Sequence, residues 1–298
     1  MGCGACMIYV LFMNRLTTGA ACVLLGSVLV GCAYSTAPVD RAEAPAPAAT
    51  SAQNILGEMY QRYITARSYE DQGTLVSIIR PDDASEPSTT RTAFNTAFDR
   101  ATGSFRFEYT KTHDRFFSPG HHVIWRTGSG RARVWWTTSP HQVESDDLDA
   151  GLAAMAGVSG TTSRTVPSML LGWAAGMKRD LGYVADGDDV AGGTPCVKMS
   201  ARRDAGVVTL WISKDDHSLR KVTSRNHNDG ASDQRDLARL AATLPEERRA
   251  ELIEHMRKPR PFVSEATIEY SPAFDRPIDP SRFEFTPPAA SSADAAPK

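Results

Sequence analysis

The chain has 298 residues, with 33 Lys and Arg against 35 Asp and Glu, so its formal net charge is −2 at pH 7. Without a basic surplus it has little to neutralise a row of phosphates, which argues against nucleic acid as a partner. The length suits one sheet-based domain of roughly 200 to 250 residues with flanking segments of other composition.

The first 31 residues have the composition of a secretory signal peptide. One charged residue, Arg15, precedes the mostly apolar run 16–30. That run is too short and too diluted by small and polar residues for a transmembrane helix, which needs about 20 predominantly apolar residues. Met13 stands where such a peptide should begin, so Met13 is an alternative start of the protein.

The run ends in Leu29-Val30-Gly31-Cys32, which resembles the lipobox of bacterial lipoproteins. The resemblance implies cleavage before Cys32 and attachment of lipid to its thiol, which would hold the mature chain on a membrane. Ala33 follows, where Asp would resemble an inner-membrane retention signal. We therefore expect a cell-envelope protein on the outer membrane, facing the periplasm.

The number of cysteines left after the predicted cleavage supports this assignment. Of the five, Cys3, Cys6 and Cys22 lie upstream of the predicted cut, and Cys32 would be acylated. Cys196 is then left without an intrachain partner. We expect it to be a buried structural thiol in a domain that needs no disulfide.

Two segments flank the expected domain. Residues 32–50 are rich in Ala and Pro and predict a flexible or extended tether, and residues 289–298 predict a disordered tail. The domain itself should span residues 51–288.

The domain begins with a helical pattern and continues with strand patterns. Apolar residues recur at helical spacing between 51 and 67, whereas Phe105, Phe107 and Tyr109 alternate with polar residues as in a half-buried strand. Short turns such as 128–130 and 214–217 favour antiparallel neighbours. Further strand-like runs cover 73–80, 92–98, 121–127, 131–137, 196–202, 207–213, 219–225 and 266–270.

Two helical patterns interrupt this meander, at 145–177 and at 233–258, the second with a break near Pro245. Asp186-Gly187-Asp188-Asp189 lacks the later ligands of a calcium loop and is interpreted as a turn before the strand at Cys196. Together the elements predict an α+β domain whose sheet packs one face against helices.

Four stretches carry a resemblance to a known family: SYEDQG at 68–73, FRFEY at 105–109, LWISKDDHSLRKV at 210–222 and the ending 277–288. They resemble the LolA/LolB-like superfamily of periplasmic lipoprotein carriers and outer-membrane lipoprotein-sorting proteins. The resemblance implies a strongly curved, open antiparallel sheet, an incomplete barrel, wrapped around helices. It also implies an apolar hollow that takes acyl chains; the insert 233–258 departs from the plain pattern.

Aromatic and methionine side chains are the candidates for lining that hollow, although each also fits a packed core. The ten candidates are Ile55, Met59, Tyr63, Phe105, Phe107, Trp125, Trp136, Met169, Leu171 and Trp211.

The sequence offers no recognisable catalytic, cofactor or metal motif. His121 and His122 are adjacent on a strand pattern and should therefore point to opposite faces, which argues against a shared metal ion. We expect no enzyme activity, no cofactor and no metal.

Three functions remain open. The first is a lipid-anchored protein that binds acyl chains, a lipoprotein or another apolar ligand in lipoprotein or lipid transport. The second is a sensor or scaffold lipoprotein that binds another envelope protein. The third is a hydrolase whose site the sequence does not reveal.

Overall fold

The computed structural model describes residues 47–83, 85–112, 120–137, 139–145, 147–156, 159–173, 182–203, 206–229 and 261–288. The predictions for the signal peptide, Cys32, most of the tether, the insert 233–258 and the tail lie outside these residues. No helix in the described ranges is long and apolar enough to cross a membrane.

The described residues form three α-helices, α1 Pro47–Thr65, α2 Leu148–Ala156 and α3 Val166–Leu170, and two short 3₁₀ helices, Thr162–Arg164 and Pro280–Phe283. They also form twelve strands: β1 Ser68–Pro81, β2 Ser88–Asp99, β3 Ser104–Lys111, β4 Gly120–Arg126, β5 Ala132–Trp136, β6 Ser139–Ser145, β7 Val184–Ala191, β8 Thr194–Arg203, β9 Gly206–Ser213, β10 Leu219–Asn228, β11 Phe262–Tyr270 and β12 Ala273–Phe274.

One antiparallel sheet contains all of these strands. Its order is β6-β5-β4-β3-β2-β1-β11-β10-β9-β8-β7, and β12 pairs with β1 beside that path. Two meanders are joined where β1 pairs with β11, in a register that sets Gly73 opposite Tyr270. Because β6 and β7 do not pair within the described part of the chain, the sheet is open. The predicted α+β class with an open antiparallel sheet is confirmed.

Side-chain alternation explains which face of the sheet carries the helices. In β3 the side chains of Phe105, Phe107 and Tyr109 are fully buried, because every second residue of a strand points to the same face. In α1, Leu56, Met59 and Tyr63 form the buried stripe predicted from the helical spacing. These residues share one hydrophobic cluster with side chains of α2 and α3, which defines the helix-covered face.

Two glycines lie where the packing around β1 leaves no room for a side chain. A Cβ atom at Gly73 would collide with the ring of Phe94, and one at Gly160 would lie 2.5 Å from Leu75 Cδ2. The ring of Phe94 thus fills the space above Gly73 and reaches Tyr270, with ring centroids 5.4 Å apart. Because Gly73 has no side chain, Phe94 on β2 can contact Tyr270 on β11 across β1.

Two predictions of local structure were wrong. Asp186–Asp189 lies within β7 rather than in a turn, because β7 pairs with β8 through its backbone although most of its side chains are exposed. A strand at the sheet edge needs no apolar alternation. The pattern predicted as one helical interruption at 145–177 contains the end of β6, α2, a 3₁₀ turn and α3, and residues 174–177 lie outside the described ranges.

Candidate functional site

Eight of the ten predicted lining residues lie together on the helix-covered face. Five belong to its fully buried cluster: Met59, Tyr63, Phe105, Phe107 and Met169. Three are partly buried at its border: Ile55, Trp136 and Leu171. The structure thus brings these residues together, and the five buried ones pack against one another as core.

The other two predicted lining residues, Trp125 and Trp211, lie on the opposite face of the sheet, so their grouping with the eight was wrong. Their neighbours Ile124 and Leu210 point toward the helices, and alternation therefore turns both tryptophans outward. Trp211 packs with Cys196, and its ring N–H donates to Asp189 Oδ2 at 3.0 Å.

Among the described residues, the interior contains one buried carboxyl group. Asp71 is 3% exposed; it accepts hydrogen bonds from the Tyr69 hydroxyl and from the Thr96 backbone N–H, both at 2.8 Å. Burial raises the pKa of Asp71 to about 6. The backbone N–H of Leu219 donates to the nearby Tyr63 hydroxyl at 3.2 Å. These bonds tie β1 to β2 and α1 to β10.

The two adjacent histidines point to opposite faces, as predicted. On the helix-covered side His122 stacks on Tyr109, with ring centroids 4.4 Å apart, and burial lowers the pKa of His122 to about 4. On the other side His121 Nε2 lies 2.6 Å from Glu108 Oε1. That hydrogen bond is the main reason why the pKa of Glu108 is lowered.

The C-terminal segment 279–288 lies across the outer face of β3, β4 and β5. Phe285 packs against Trp125 and Trp135 with centroid distances of 5.0 and 5.4 Å. Arg106 Nη1 donates to the carbonyl oxygen of Glu284 at 2.9 Å. Trp135 is therefore only 3% exposed, although the three described α-helices lie on the other face of the sheet.

A groove opens on this outer face where the two meanders meet. Its volume is ≈ 390 Å³, and it is lined by Val76, Ile78, Val207, Thr209, Thr223, Ser224, Arg225, Glu265, Ala266 and Thr267. The first three provide an apolar floor at its two ends, Val76 and Ile78 on β1 and Val207 on β9, with polar residues of β11 and β10 between them. Val207 is 38% exposed. Ligand sites of small molecules have volumes of about 300–1,000 Å³ and mostly apolar walls. The groove therefore has the size and surface to accept an apolar chain.

This groove was not predicted from the sequence, although β1 contains a pattern that indicates apolar surface on both of its faces. The run Leu75-Val76-Ser77-Ile78-Ile79 is apolar at positions that face both sides of the sheet. Such a strand has apolar surface to cover on each face. Leu75 meets the helices, whereas Val76 and Ile78 line the groove.

Cys196 is a buried free thiol, as predicted. Its Sγ donates to the carbonyl oxygen of Thr194 at 3.3 Å, and burial raises the pKa of the thiol. A thiol held protonated in this way is a poor nucleophile. Within the described ranges, no three His, Cys, Asp or Glu side chains are grouped to hold a metal ion.

No protein-family model and no curated protein matches the chain. Solved structures do match. Lipoprotein LppX of Mycobacterium tuberculosis is 12% identical, with 77% of this chain and 98% of that chain covered and a TM-score of 0.35. A putative outer membrane lipoprotein-sorting protein domain of Vibrio parahaemolyticus is 7% identical, with 79% and 97% covered and a TM-score of 0.30.

A LolA superfamily protein of Nitrosomonas europaea is 12% identical, with 80% of this chain and 99% of that chain covered and a TM-score of 0.27. At such low identities and TM-scores, these similarities carry no argument about what the chain binds.

Proposed function

We propose that this chain is a non-enzymatic, lipid-anchored protein of the cell envelope that binds an acyl chain or another apolar ligand in lipoprotein or lipid transport. The anchor rests on the lipobox ending at Cys32. The observation that carries the binding role is the groove of ≈ 390 Å³ with its floor of Val76, Ile78 and Val207. It lies on the face of the sheet opposite the described helices.

The hydrophobic effect supports an acyl chain as the occupant. Each methylene group removed from water contributes about 0.8 kcal/mol, so eight buried methylenes would contribute about 6 kcal/mol before the cost of ordering the chain. The threonines beside the floor present methyl groups to such a chain without requiring a polar partner in it. The lining residues form two rows that cross β1, β11, β10 and β9, and a linear chain suits this arrangement.

We expect the mature protein to bind a fluorescent long-chain fatty acid saturably, and Val207→Asp to weaken that binding at least about tenfold. A carboxylate in the apolar floor has to be desolvated by the bound chain, which costs more than the lost methyl contacts. The measurement is a fluorescence titration with competition by unlabelled acyl chains, together with extraction of lipid from protein purified from cells.

Val190→Asp is the matched control, because Val190 is 61% exposed on β7 and lies outside the groove. It should bind the probe like the wild type. Equal weakening by both variants, with circular dichroism unchanged, would argue against the groove. Absence of any acyl binding would instead favour the sensor or scaffold function. Met169→Arg would not test binding in the groove, because Met169 is fully buried in the core on the helix-covered face.

For the anchor, we expect Cys32→Ala to abolish acylation, because the Cys32 thiol is the proposed acceptor of the lipid. Metabolic labelling with an alkyne-bearing fatty acid measures this directly. Cys196→Ala is the control and should remain labelled, since Cys196 is buried in the folded domain. Equal labelling of wild type and Cys32→Ala would refute the anchor.

A further inference from the structure

Four arginines lie in or beside the groove, and one of them, Arg225, lines it between Val207 and Glu265. Strand pairing places Arg225 on one side of Val207 and Arg202 on the other, and it places Arg91 beside Val76. Residues opposite each other in a register point to the same face. Arg80 lies two positions beyond Ile78 on β1 and shares its face.

Only one carboxylate among the described residues of these rows opposes the four arginines. Glu265 lies between two of them, with Oε2 3.3 Å from Arg80 Nε and Oε1 3.5 Å from Arg225 Nε. Arg91 and Arg202 form no ion pair within the described part of the chain. Four positive charges and one negative charge leave a local surplus of three around the groove.

Charged residues next to the groove have partners outside it. Lys221 is opposite Glu269 in the pairing of β10 with β11. His227 Nε2 lies 3.3 Å from Asp82 Oδ2, and Asp83 in the turn after β1 accepts a hydrogen bond from the Ser85 hydroxyl. The surplus is therefore concentrated at the rows that contain Val207 and Val76.

We infer that the ligand of the groove is a long-chain fatty acid bound as its carboxylate, with the acyl chain over Val76, Ile78 and Val207 and the carboxylate held by Arg202 and Arg225. This inference rests on the proposed function and names its ligand class. Guanidinium groups bind carboxylates through paired, charge-assisted hydrogen bonds. Val207 lies between the two arginines, so one end of a chain on this floor meets both.

The test compares palmitate with hexadecanol, which has the same chain length and an uncharged head group. The mature wild type should bind palmitate at least about tenfold more tightly, and the difference should shrink as salt is raised. The double variant Arg202→Gln/Arg225→Gln should lose this preference, because its loss of affinity falls mainly on palmitate. Arg276→Gln, whose backbone lies beside the start of β1, is the control for loss of an exposed arginine outside the groove and should bind like the wild type.

Each outcome separates the inference from the proposed function. Equal binding of palmitate and hexadecanol by the wild type would overturn the carboxylate inference and leave acyl binding intact. An unchanged palmitate preference in the double variant would also overturn it. If neither compound binds, acyl binding in the groove fails and the inference fails with it. Thermal melts of all variants should coincide, because the replaced arginines are exposed.

Discussion

Replacing Gly73 with alanine is expected to destabilise the domain by about 2–3 kcal/mol, the range for an overpacked interior site. The added Cβ would meet the ring of Phe94 and would lie 2.6 Å from the carbonyl oxygen of Glu269. The ring is held by its contacts with Phe107 and Tyr270, and the carbonyl belongs to the paired strand β11. Neither neighbour can withdraw without loosening the sheet. Urea denaturation measures the change.

Gly57→Ala is the matched control for this substitution. Nothing lies within 4 Å of a Cβ built at Gly57 in α1, so alanine there should stabilise the domain by about 0.5–1 kcal/mol through its helix propensity. Adding Phe94→Leu to Gly73→Ala should recover part of the loss. Similar effects of the two glycine substitutions would show that the contact of Phe94 with Gly73 does not limit the packing.

Replacing Asp71 with asparagine is expected to favour the variant over the wild type increasingly as the pH rises from 4 to 7, by about 2 kcal/mol over that interval. The pKa of Asp71 is about 6 in the folded protein and about 3.9 in an unfolded chain. Between these values the folded state binds more protons, so the wild type loses stability as the pH rises. Asparagine does not ionise and can bond both Thr96 and Tyr69.

The measurement is the difference in free energy of unfolding between the two proteins at several pH values. Groups such as Glu108, whose pKa is lowered, are common to both proteins and cancel in that difference. Asp71→Ala should be less stable than the wild type even at pH 4, by about 2 kcal/mol or more, since two buried donors lose their acceptor. A pH-independent difference for Asp71→Asn would contradict the buried carboxyl.

Local patterns predict those elements whose side chains meet a buried surface. The stripe of α1 and the alternation in Phe105, Phe107 and Tyr109 identify their elements because burial selects apolar residues at fixed intervals. β7 lacks this selection, since most of its side chains face water and its pairing uses backbone groups that every residue has. The acidic run Asp186–Asp189 therefore has the sequence pattern of a turn although it forms part of a strand.

The site was harder to predict than the elements. Which face Trp125 and Trp211 occupy depends on strand register relative to the helices, and composition alone does not fix the register. Trp135 is buried by packing against Phe285, which is distant from it in the sequence. The arginines around the groove come from separate strands of both meanders, and only the pairing of β1 with β11 brings them together.

That central pairing also sets the order in which the domain can fold. β1 and β11 come from opposite ends of the described domain, so closing this pair costs the entropy of a very long loop, whereas each meander is built mainly from neighbouring hairpins. Sheets dominated by such non-local pairs have high contact order and fold slowly. During synthesis β1, the edge strand of the first meander, gains its neighbour β11 only after the second meander has been made. For a chain exported as proposed above, a seam completed last would leave the sheet unfinished until β11 has crossed the membrane.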